Sequence, residues 1–188
     1  MKFKEGKIID IIYISRGKTL EPVIIRYPKK SDVKSVWKFY NKVIRETENL
    51  NRVSVVSLKD EKKWISESIS KMKKDNIVLL FAESGGKIVG SASIERRFEE
   101  RKKHVGSFGI CILQEFTGLG LGAKMMTALE KNIINAIRLL VLDVYGKNKI
   151  AQALYKKMGF KTLGAIPYSV KTKRGFQSDI YMYKVLKK

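Results

Sequence analysis

Residues 108–132 read FGICILQEFTGLGLGAKMMTALEKN, and the interpretation of the whole chain depends on this stretch. An apolar run leads into closely spaced glycines, which open directly into a helical pattern with apolar residues four apart: Leu121, Met125, Leu129 and Ile133. The first N–H groups of a helix lack intrahelical partners and lie at the positive end of its dipole, and glycine lets a phosphate reach the backbone. The sequence therefore predicts that residues 117–122 hold the diphosphate of a cofactor.

The same glycines satisfy G-x-G-x-x-[GA], the fingerprint of dinucleotide-binding folds, and Asp143 lies in the next strand at the spacing of a ribose-binding acid. Three features count against a nicotinamide site. Too few residues follow Asp143 for the further βα units of such a fold, the preceding sequence is rich in hairpins, and Asp143 lies inside its strand rather than at the carboxyl end. A Walker P-loop is excluded because the chain has no G-x-x-x-x-G-K-[ST].

A second motif, NKIAQALYKKMGF at residues 148–160, identifies the family. With the glycine loop it resembles the GNAT superfamily of N-acetyltransferases, which transfer an acetyl group from acetyl-CoA to an amine. The pattern N-x-x-A-x-x-L-Y-x-x-x-G-F, common in that family, agrees at every specified position. The family's pyrophosphate loop, [QR]-x-x-G-x-[GA], matches at its glycines, while Thr117 stands where the usual Arg or Gln would be. The resemblance covers residues 22–186 approximately.

This resemblance implies an α+β fold: a mixed, mostly antiparallel central sheet with a splayed strand pair and helices on both faces. It implies acetyl-CoA as the acetyl donor and no metal. Tyr155 is the catalytic residue that it assigns. The positions assigned to cofactor binding lie in the strand, the loop and the later helix: Ile112, Leu113, Thr117, Gly118, Leu119, Gly120, Leu121, Gly122, Ala123, Asn148 and Ala151.

The resemblance also gives several of these residues a task. The N–H groups of residues 119–122 face the pyrophosphate, and the N–H of Ile112, in a strand that splays from its neighbour, polarises the thioester carbonyl. Asn148 and Tyr155 lie two helical turns apart and share a face. Asn148 is expected to bond the pantetheine arm, and Tyr155 to protonate the departing thiolate.

The general base and the acceptor are less clearly encoded. Glu95, His104, Asp143 and a water chain remain open as bases. Two polar segments, residues 45–57 and 167–177, are expected to line the acceptor site. Glu46 and Glu48 would attract a cationic amine there, although the basic composition argues against polyamines and is compatible with acidic or protein acceptors.

The amino-acid composition excludes several functional classes of protein. The 188 residues carry a formal net charge of +21 spread along the chain, which fits a lysine-rich surface better than a nucleic-acid site. One cysteine and one histidine exclude a disulfide framework and a Cys/His metal cluster. No apolar run approaches the ~20 residues of a membrane span, so a cytoplasmic protein is expected, with homodimers left open. The alternative function is a non-catalytic acyl-CoA-binding or ribosome-associated module.

The apolar periodicities predict the element order β-β-α-α-β-β-β-α-β-α-β-β. Residues 1–21 are expected to form an N-terminal strand extension and residues 22–188 a single acetyltransferase-like domain. Ser31 or Asp32 is predicted to cap the first helix and Asp60 the second. The last two strands are placed at residues 160–166 and 178–186, joined by a polar loop.

Overall fold

The computed structural model describes residues 3–186 and confirms the predicted order of elements. Its strands are β1 Ile8–Arg16, β2 Thr19–Arg26, β3 Ile77–Ser84, β4 Lys87–Arg96, β5 Val105–Ile112, β6 Leu139–Tyr145, β7 Lys161–Thr172 and β8 Gly175–Val185. Its α-helices are α1 Val33–Glu46, α2 Leu58–Lys73, α3 Leu121–Lys131 and α4 Lys149–Lys157.

One sheet of eight strands runs through the described residues in the order β1-β2-β3-β4-β5-β6-β8-β7. Every neighbouring pair is antiparallel except β5 and β6, which are parallel. That parallel pairing is short, because only residues 105–107 lie opposite residues 139–141. Beyond this point β5 and β6 separate, so the predicted splayed pair lies at the middle of the sheet.

Both faces of the sheet are covered, as predicted. Six consecutive residues of β3, from Ile77 to Ala82, are buried, which requires cover on either side of the strand. On one face, the ring of Phe81 lies 6.5 Å from that of Trp64 in α2. On the other, a Cβ built on Gly90 would lie 3.0 Å from Met125 of α3. Helices α1 and α2 therefore cover one face, and α3 covers the opposite one.

A buried ionic cluster joins β2 to the start of α1. Arg26 donates to both carboxylate oxygens of Asp32 at 2.8 Å and to Glu83 of β3 at 2.6 Å. Asp32 also accepts a hydrogen bond from the Lys29 N–H at 2.7 Å. Arg26 and Asp32 are 4% and 6% exposed, so this cluster fixes the entry of α1 from inside the protein.

The predictions for the first two helix caps have different outcomes. Helix α2 is capped by Ser57, whose hydroxyl accepts a hydrogen bond from the Asp60 N–H, so the prediction of Asp60 as the cap was wrong. Helix α1 follows a 3₁₀ turn at Lys30–Asp32. Asp32 stands at the N-cap position, as predicted, but its side chain makes no cap hydrogen bond because Arg26 and the Lys29 N–H occupy its carboxylate. In both places a nearby partner determines which side chain is available for capping.

The final two strands are longer than predicted and leave no loop at residues 167–177. Strands β7 and β8 pair as far as Thr172 and Gly175, and the hairpin turns at residues 173–174. Its register shifts between Ile166 and Val170, where proline and a positive φ at Tyr168 are accommodated as a bulge. Most of β7 is exposed, so no apolar alternation marks it in the sequence.

Among the helices of residues 3–186, none combines the length and the apolarity that a membrane crossing requires.

Candidate active site

A cavity of about 770 Å³ lies where β5 and β6 separate. Helices α1 and α2 and the chain between them form one wall, β4 and β5 form the floor, and the end of β6 with α4 forms the opposite wall. The position of the cavity follows from the topology, since the gap between the two strands opens the sheet beneath the helices.

The edge of β5 presents free backbone groups to this gap. Leu113 donates its N–H to Val89 and the carbonyl of Val105 accepts from Arg97, so odd-numbered residues of β5 bond toward β4. Because backbone groups alternate in direction along a strand, the even-numbered residues face the side that β6 has left. The N–H of Ile112 therefore points into the gap, where the sequence-based interpretation requires a donor.

The glycine loop before α3 is a cradle of backbone donors. Gly118 and Gly120 have φ values of +77° and +79°, and a Cβ on either would meet no atom within 4 Å. No acceptor in the described part of the chain takes a hydrogen bond from the N–H groups of residues 118–123. Helix α3 has neither a side-chain cap nor an acidic residue in its first turn. These features fit a phosphate group.

Other residues assigned to this region have packing roles as well. Leu113 and Leu121 are buried in the core, and Leu119 packs against it. A Cβ on Gly122 would lie 2.8 Å from Leu154, so glycine here lets α3 approach α4. Ala123, in the first turn of α3, is partly buried.

Thr117 turns its side chain back onto the loop. Its hydroxyl donates to the Gln114 carbonyl at 2.7 Å, and the residue lines the cavity. The hydroxyl thereby holds the turn before the glycines, and the loop relies on backbone donors rather than on a long side chain at this position.

Helix α4 brings its motif residues to the cavity wall. Asn148 caps the helix by accepting the Ala151 N–H at 3.1 Å, and both residues line the cavity. The amide N–H groups of Asn148 have no partner within residues 3–186. Asn148 is therefore the N-cap of α4, and its side-chain N–H groups remain available to a ligand in the cavity that the residue lines.

Tyr155 lies at the inner end of the cleft. Its ring packs against Phe108 and Phe160, each with a centroid 5.9 Å away. Only 6% of the residue is exposed, and its hydroxyl has no hydrogen-bond partner among the described residues. Burial, with a smaller contribution from the Asp143 carboxylate, raises the pKa of Tyr155 to about 12. The phenol therefore stays protonated and is suited to donating a proton.

The lone cysteine, Cys111, also lines the cavity but is a poor nucleophile. Burial, reinforced by the nearby Glu61 carboxylate, raises the pKa of its thiol to about 12. Because the thiolate is the reactive form, an acyl-cysteine step is disfavoured.

The three side chains considered as general bases are placed very differently. Asp143 lines the cavity on the β6 side. Glu95 lies at the far end of β4 and pairs with Lys71 at 2.6 Å. His104 precedes β5, where its carbonyl accepts from residues 138 and 139. Neither Glu95 nor His104 borders the cavity.

A fourth carboxylate, which the sequence-based interpretation missed, lies in the cavity wall. Glu61 in the first turn of α2 is only 4% exposed, lines the cavity, and forms no hydrogen bond or ion pair through its side chain with residues 3–186. Burial raises its pKa to about 7, with Arg52 opposing the shift. The sequence does carry a sign of this position. Glu61 lies four residues before Ile65, one helical turn away, and therefore on the same buried face of α2.

Glu61→Gln is expected to stabilise the folded protein progressively as the pH rises from about 4.5 to about 7. The folded state retains the Glu61 proton up to about pH 7, whereas the unfolded state releases it near 4.5, so wild-type stability falls across this window. The difference between variant and wild type should grow by about 3 kcal/mol between pH 4.5 and pH 8. Urea unfolding at several pH values measures it, and parallel stability curves would contradict the burial of an unpaired carboxylate.

The lining of the cavity is acidic, in contrast to the protein as a whole. Among the described residues that line it, four are carboxylates and Arg52 is the single cation. Glu46 is one of the four; it accepts the Gln114 N–H at 3.0 Å and lies 3.6 Å from Lys42. Glu48 borders a smaller neighbouring depression instead. Residues 167–177, expected to line the acceptor site, do not border this cavity; Thr172, Arg174 and Gln177 border the smaller depression instead.

Comparisons with known proteins agree with this geometry. The model of the acetyltransferase (GNAT) family matches residues 38–160. L-amino acid N-acetyltransferase AaaT of Escherichia coli (strain K12) is 30% identical over 93 residues, which are 48% of this chain and 57% of that protein. The match thus spans little more than half of the relative's length.

Solved structures extend the likeness to most of the chain. An acetyltransferase of the GNAT family from Streptococcus pneumoniae superposes with a TM-score of 0.79 at 25% identity, covering 87% of this chain and 99% of that one. Salmonella typhimurium yncA, solved with its cofactor acetyl-CoA, gives a TM-score of 0.77 at 18% identity, with 88% and 95% covered. The sheet with its splayed pair is therefore the fold of these proteins.

Proposed function

Because the chain belongs to the acetyltransferase (GNAT) family, we propose that it transfers an acetyl group from acetyl-CoA to a primary amine, directly and within a ternary complex. One observation carries this proposal: a single cavity is bordered by the free edge of β5, by Thr117 at the start of the glycine loop with its unpaired amides, and by Asn148 and Tyr155 of the second motif. The acetyl-CoA in yncA and the amine-directed activity named for AaaT support the same assignment.

The donor is bound by backbone groups in this mechanism. The N–H groups before and at the start of α3 receive the diphosphate, and their fixed orientation avoids reorganisation on binding. The even-numbered edge of β5 pairs with the pantetheine arm, assisted by the amide of Asn148. The pantetheine arm thereby forms hydrogen bonds with the part of the β5 edge that does not pair with β6.

The chemical step uses two donors on either side of the thioester. The N–H of Ile112 polarises the carbonyl and stabilises the oxyanion that forms when the amine attacks. Tyr155 protonates the departing thiolate; its raised pKa ensures that the proton is present throughout the physiological range. The apolar rings of Phe108 and Phe160 fix the phenol and limit water around it.

Acetyl-CoA at about 100-fold excess over its dissociation constant is expected to raise the melting temperature by roughly 5–10 °C, because it binds only the folded state. Gly120→Glu should abolish the shift, since it places a carboxylate and a side chain at the phosphate cradle. Differential scanning fluorimetry measures both.

Gly86→Glu is the matched control for that experiment. Gly86 has a φ of +73° and, like Gly120, open space around a Cβ, but it lies in the β3–β4 turn. It should carry the same backbone strain and keep the shift. A wild-type protein unaffected by millimolar acetyl-CoA, or one stabilised equally by NADH, would refute the proposed function.

A further inference from the structure

We propose that Glu61 is the general base of the reaction and that it receives the acceptor as an ammonium ion, so that the acceptor is a cationic primary amine with an apolar body. This inference rests on the proposed function and concerns the acceptor half of the same site.

The first argument is that the Glu61 carboxylate has no partner among the described residues and opens to the cavity. Glu61 is 4% exposed and has no partner for its side chain among the described residues. Buried carboxylates are normally paired or hydrogen-bonded, because desolvation is otherwise costly. Since Glu61 borders the cavity, a ligand that brings N–H donors and a positive charge satisfies it.

The groups around Glu61 do not supply a buried positive charge, so a cationic ligand can do so. Tyr40 of α1 and Cys111 of β5 interact with it electrostatically, and burial raises the pKa of each, so both are neutral. Arg52, in the segment between α1 and α2, is the one charged group acting on it, and it is exposed. The charge at this part of the cavity wall therefore depends on whether Glu61 is protonated.

The second argument is position relative to the thioester. Gly109 and Cys111 present their side-chain directions to the helix-covered face, since a Cβ on Gly109 would approach Ser93 of the cavity floor. Glu61 acts on the Cys111 thiol from that face, and Cys111 directly precedes Ile112. An amine held by Glu61 thus lies on the acceptor side of the carbonyl, and Tyr155 lies on the leaving-group side.

The proton and electron movements balance. The Glu61 carboxylate removes one proton from the ammonium, which frees the nitrogen lone pair. The nitrogen then forms a bond to the thioester carbon, and the carbonyl electrons move to the oxygen facing the Ile112 N–H. On collapse the C–S bond breaks and the thiolate takes the Tyr155 proton. The second proton of the amine nitrogen restores Tyr155, and Glu61 releases its proton to solvent.

The cavity lining indicates the acceptor class. Of the four carboxylates that line it, Glu46 is paired with Lys42, and the other three have no ion pair among residues 3–186; this favours a positively charged ligand, although the protein as a whole is strongly basic. Tyr40 and Trp64 supply aromatic surface beside Glu61, which suits an apolar stem and the face of a cation. A cation with an apolar body matches both features, whereas an acidic acceptor matches neither.

The test measures acetylation of phenethylamine with saturating acetyl-CoA from pH 5.5 to 10.5. At pH 7.5, Glu61→Gln should lower kcat/KM for the amine about 10²–10³-fold. Glu67→Gln, the same chemical change on the exposed side of α2, should remain within about two-fold of wild type. The thermal shift with acetyl-CoA should be the same in all three proteins, because Glu61 does not contact the donor cradle.

The pH profiles distinguish a base from a merely structural residue. Wild-type kcat/KM should rise through about pH 7, where Glu61 loses its proton. It should fall near pH ~10.4, where the ammonium ion that binds to Glu61 loses its own proton in solution. Glu61→Gln should instead rise continuously toward ~10.4, because only amine deprotonated in solution then reacts.

Three results would overturn the inference and leave the proposed function standing. They are equal activity of Glu61→Gln and wild type, an unchanged inflection near pH 7 in the variant, and no acetylation of phenethylamine by a protein that acetyl-CoA stabilises. Absence of that stabilisation in the wild type would refute the proposed function itself.

Discussion

Tyr155→Phe is expected to lower kcat about 10²–10³-fold and to leave the affinity for acetyl-CoA unchanged. The substitution removes the hydroxyl and keeps the ring, so the contacts with Phe108 and Phe160 persist. The lost step is protonation of the thiolate, which occurs after the donor has bound. Steady-state kinetics with a thiol-detecting reagent gives kcat, and the thermal shift with acetyl-CoA reports binding.

Tyr27→Phe is the matched control for this loss. Tyr27 is also buried, at 3% exposure, and its hydroxyl contacts Asn132 at 3.4 Å, away from the cavity. This variant should retain kcat. The raised pKa of Tyr155 adds a second criterion: wild-type kcat should not fall between pH 8 and pH 10 through loss of the acid, because a group with a pKa of about 12 keeps its proton there. Unchanged turnover in Tyr155→Phe would remove this residue from the acid role.

Asp32→Ala is expected to lower the free energy of unfolding by about 3–5 kcal/mol. The change removes both hydrogen bonds to Arg26 and the acceptor for the Lys29 N–H, and it leaves the buried guanidinium with the Tyr27 carbonyl and with Glu83 as its remaining carboxylate. An unbalanced charge inside the protein accounts for most of the loss. Urea denaturation with a common m-value measures the effect.

An exposed pair provides the comparison for Asp32. Glu67 lies 3.9 Å from Lys63 on the solvent side of α2, and Glu67→Ala should change stability by less than about 0.5 kcal/mol. A loss below about 1 kcal/mol for Asp32→Ala would show that the Arg26 cluster does not determine how α1 joins the sheet.

Much of the fold could be predicted because local pattern and tertiary role agree. The consecutive apolar residues of β3 indicate a strand covered on both faces, and the glycines at 118 and 120 occupy the positive-φ positions that their spacing suggests. The β7–β8 hairpin was misjudged because backbone pairing rather than burial maintains it beyond residue 166. Hydrogen-bonded strands without an apolar face give no period-2 signal.

The candidate site also has one part that the sequence predicts and one part that it does not. The phosphate cradle depends on contiguous residues, so the sequence displays it. The cavity wall that holds Glu61 depends on how α2 is rotated against the sheet, and LKDEKKW at residues 58–64 has the composition of a solvated first turn. Only the packing of Ile65 and Ile69 places Glu61 inside. A charged residue in step with an apolar stripe is the one local sign of such a position.

The carboxylates of the cavity are enclosed by a surface of opposite sign, and this contrast bears on the order in which two substrates arrive. Beyond the screening distance of about 8 Å at physiological salt, a ligand responds to the net charge of +21 rather than to individual side chains. This field would attract acetyl-CoA, a polyanion, and would repel the cationic amine that we propose as the acceptor.

On the proposed mechanism, the phosphates of a bound donor would offset part of that positive field, and the amine would then reach the carboxylates that line the cavity. The charge distribution thus favours an ordered sequence with the donor first. It also gives salt opposite effects on the two encounters: screening slows association of the donor and speeds that of the acceptor.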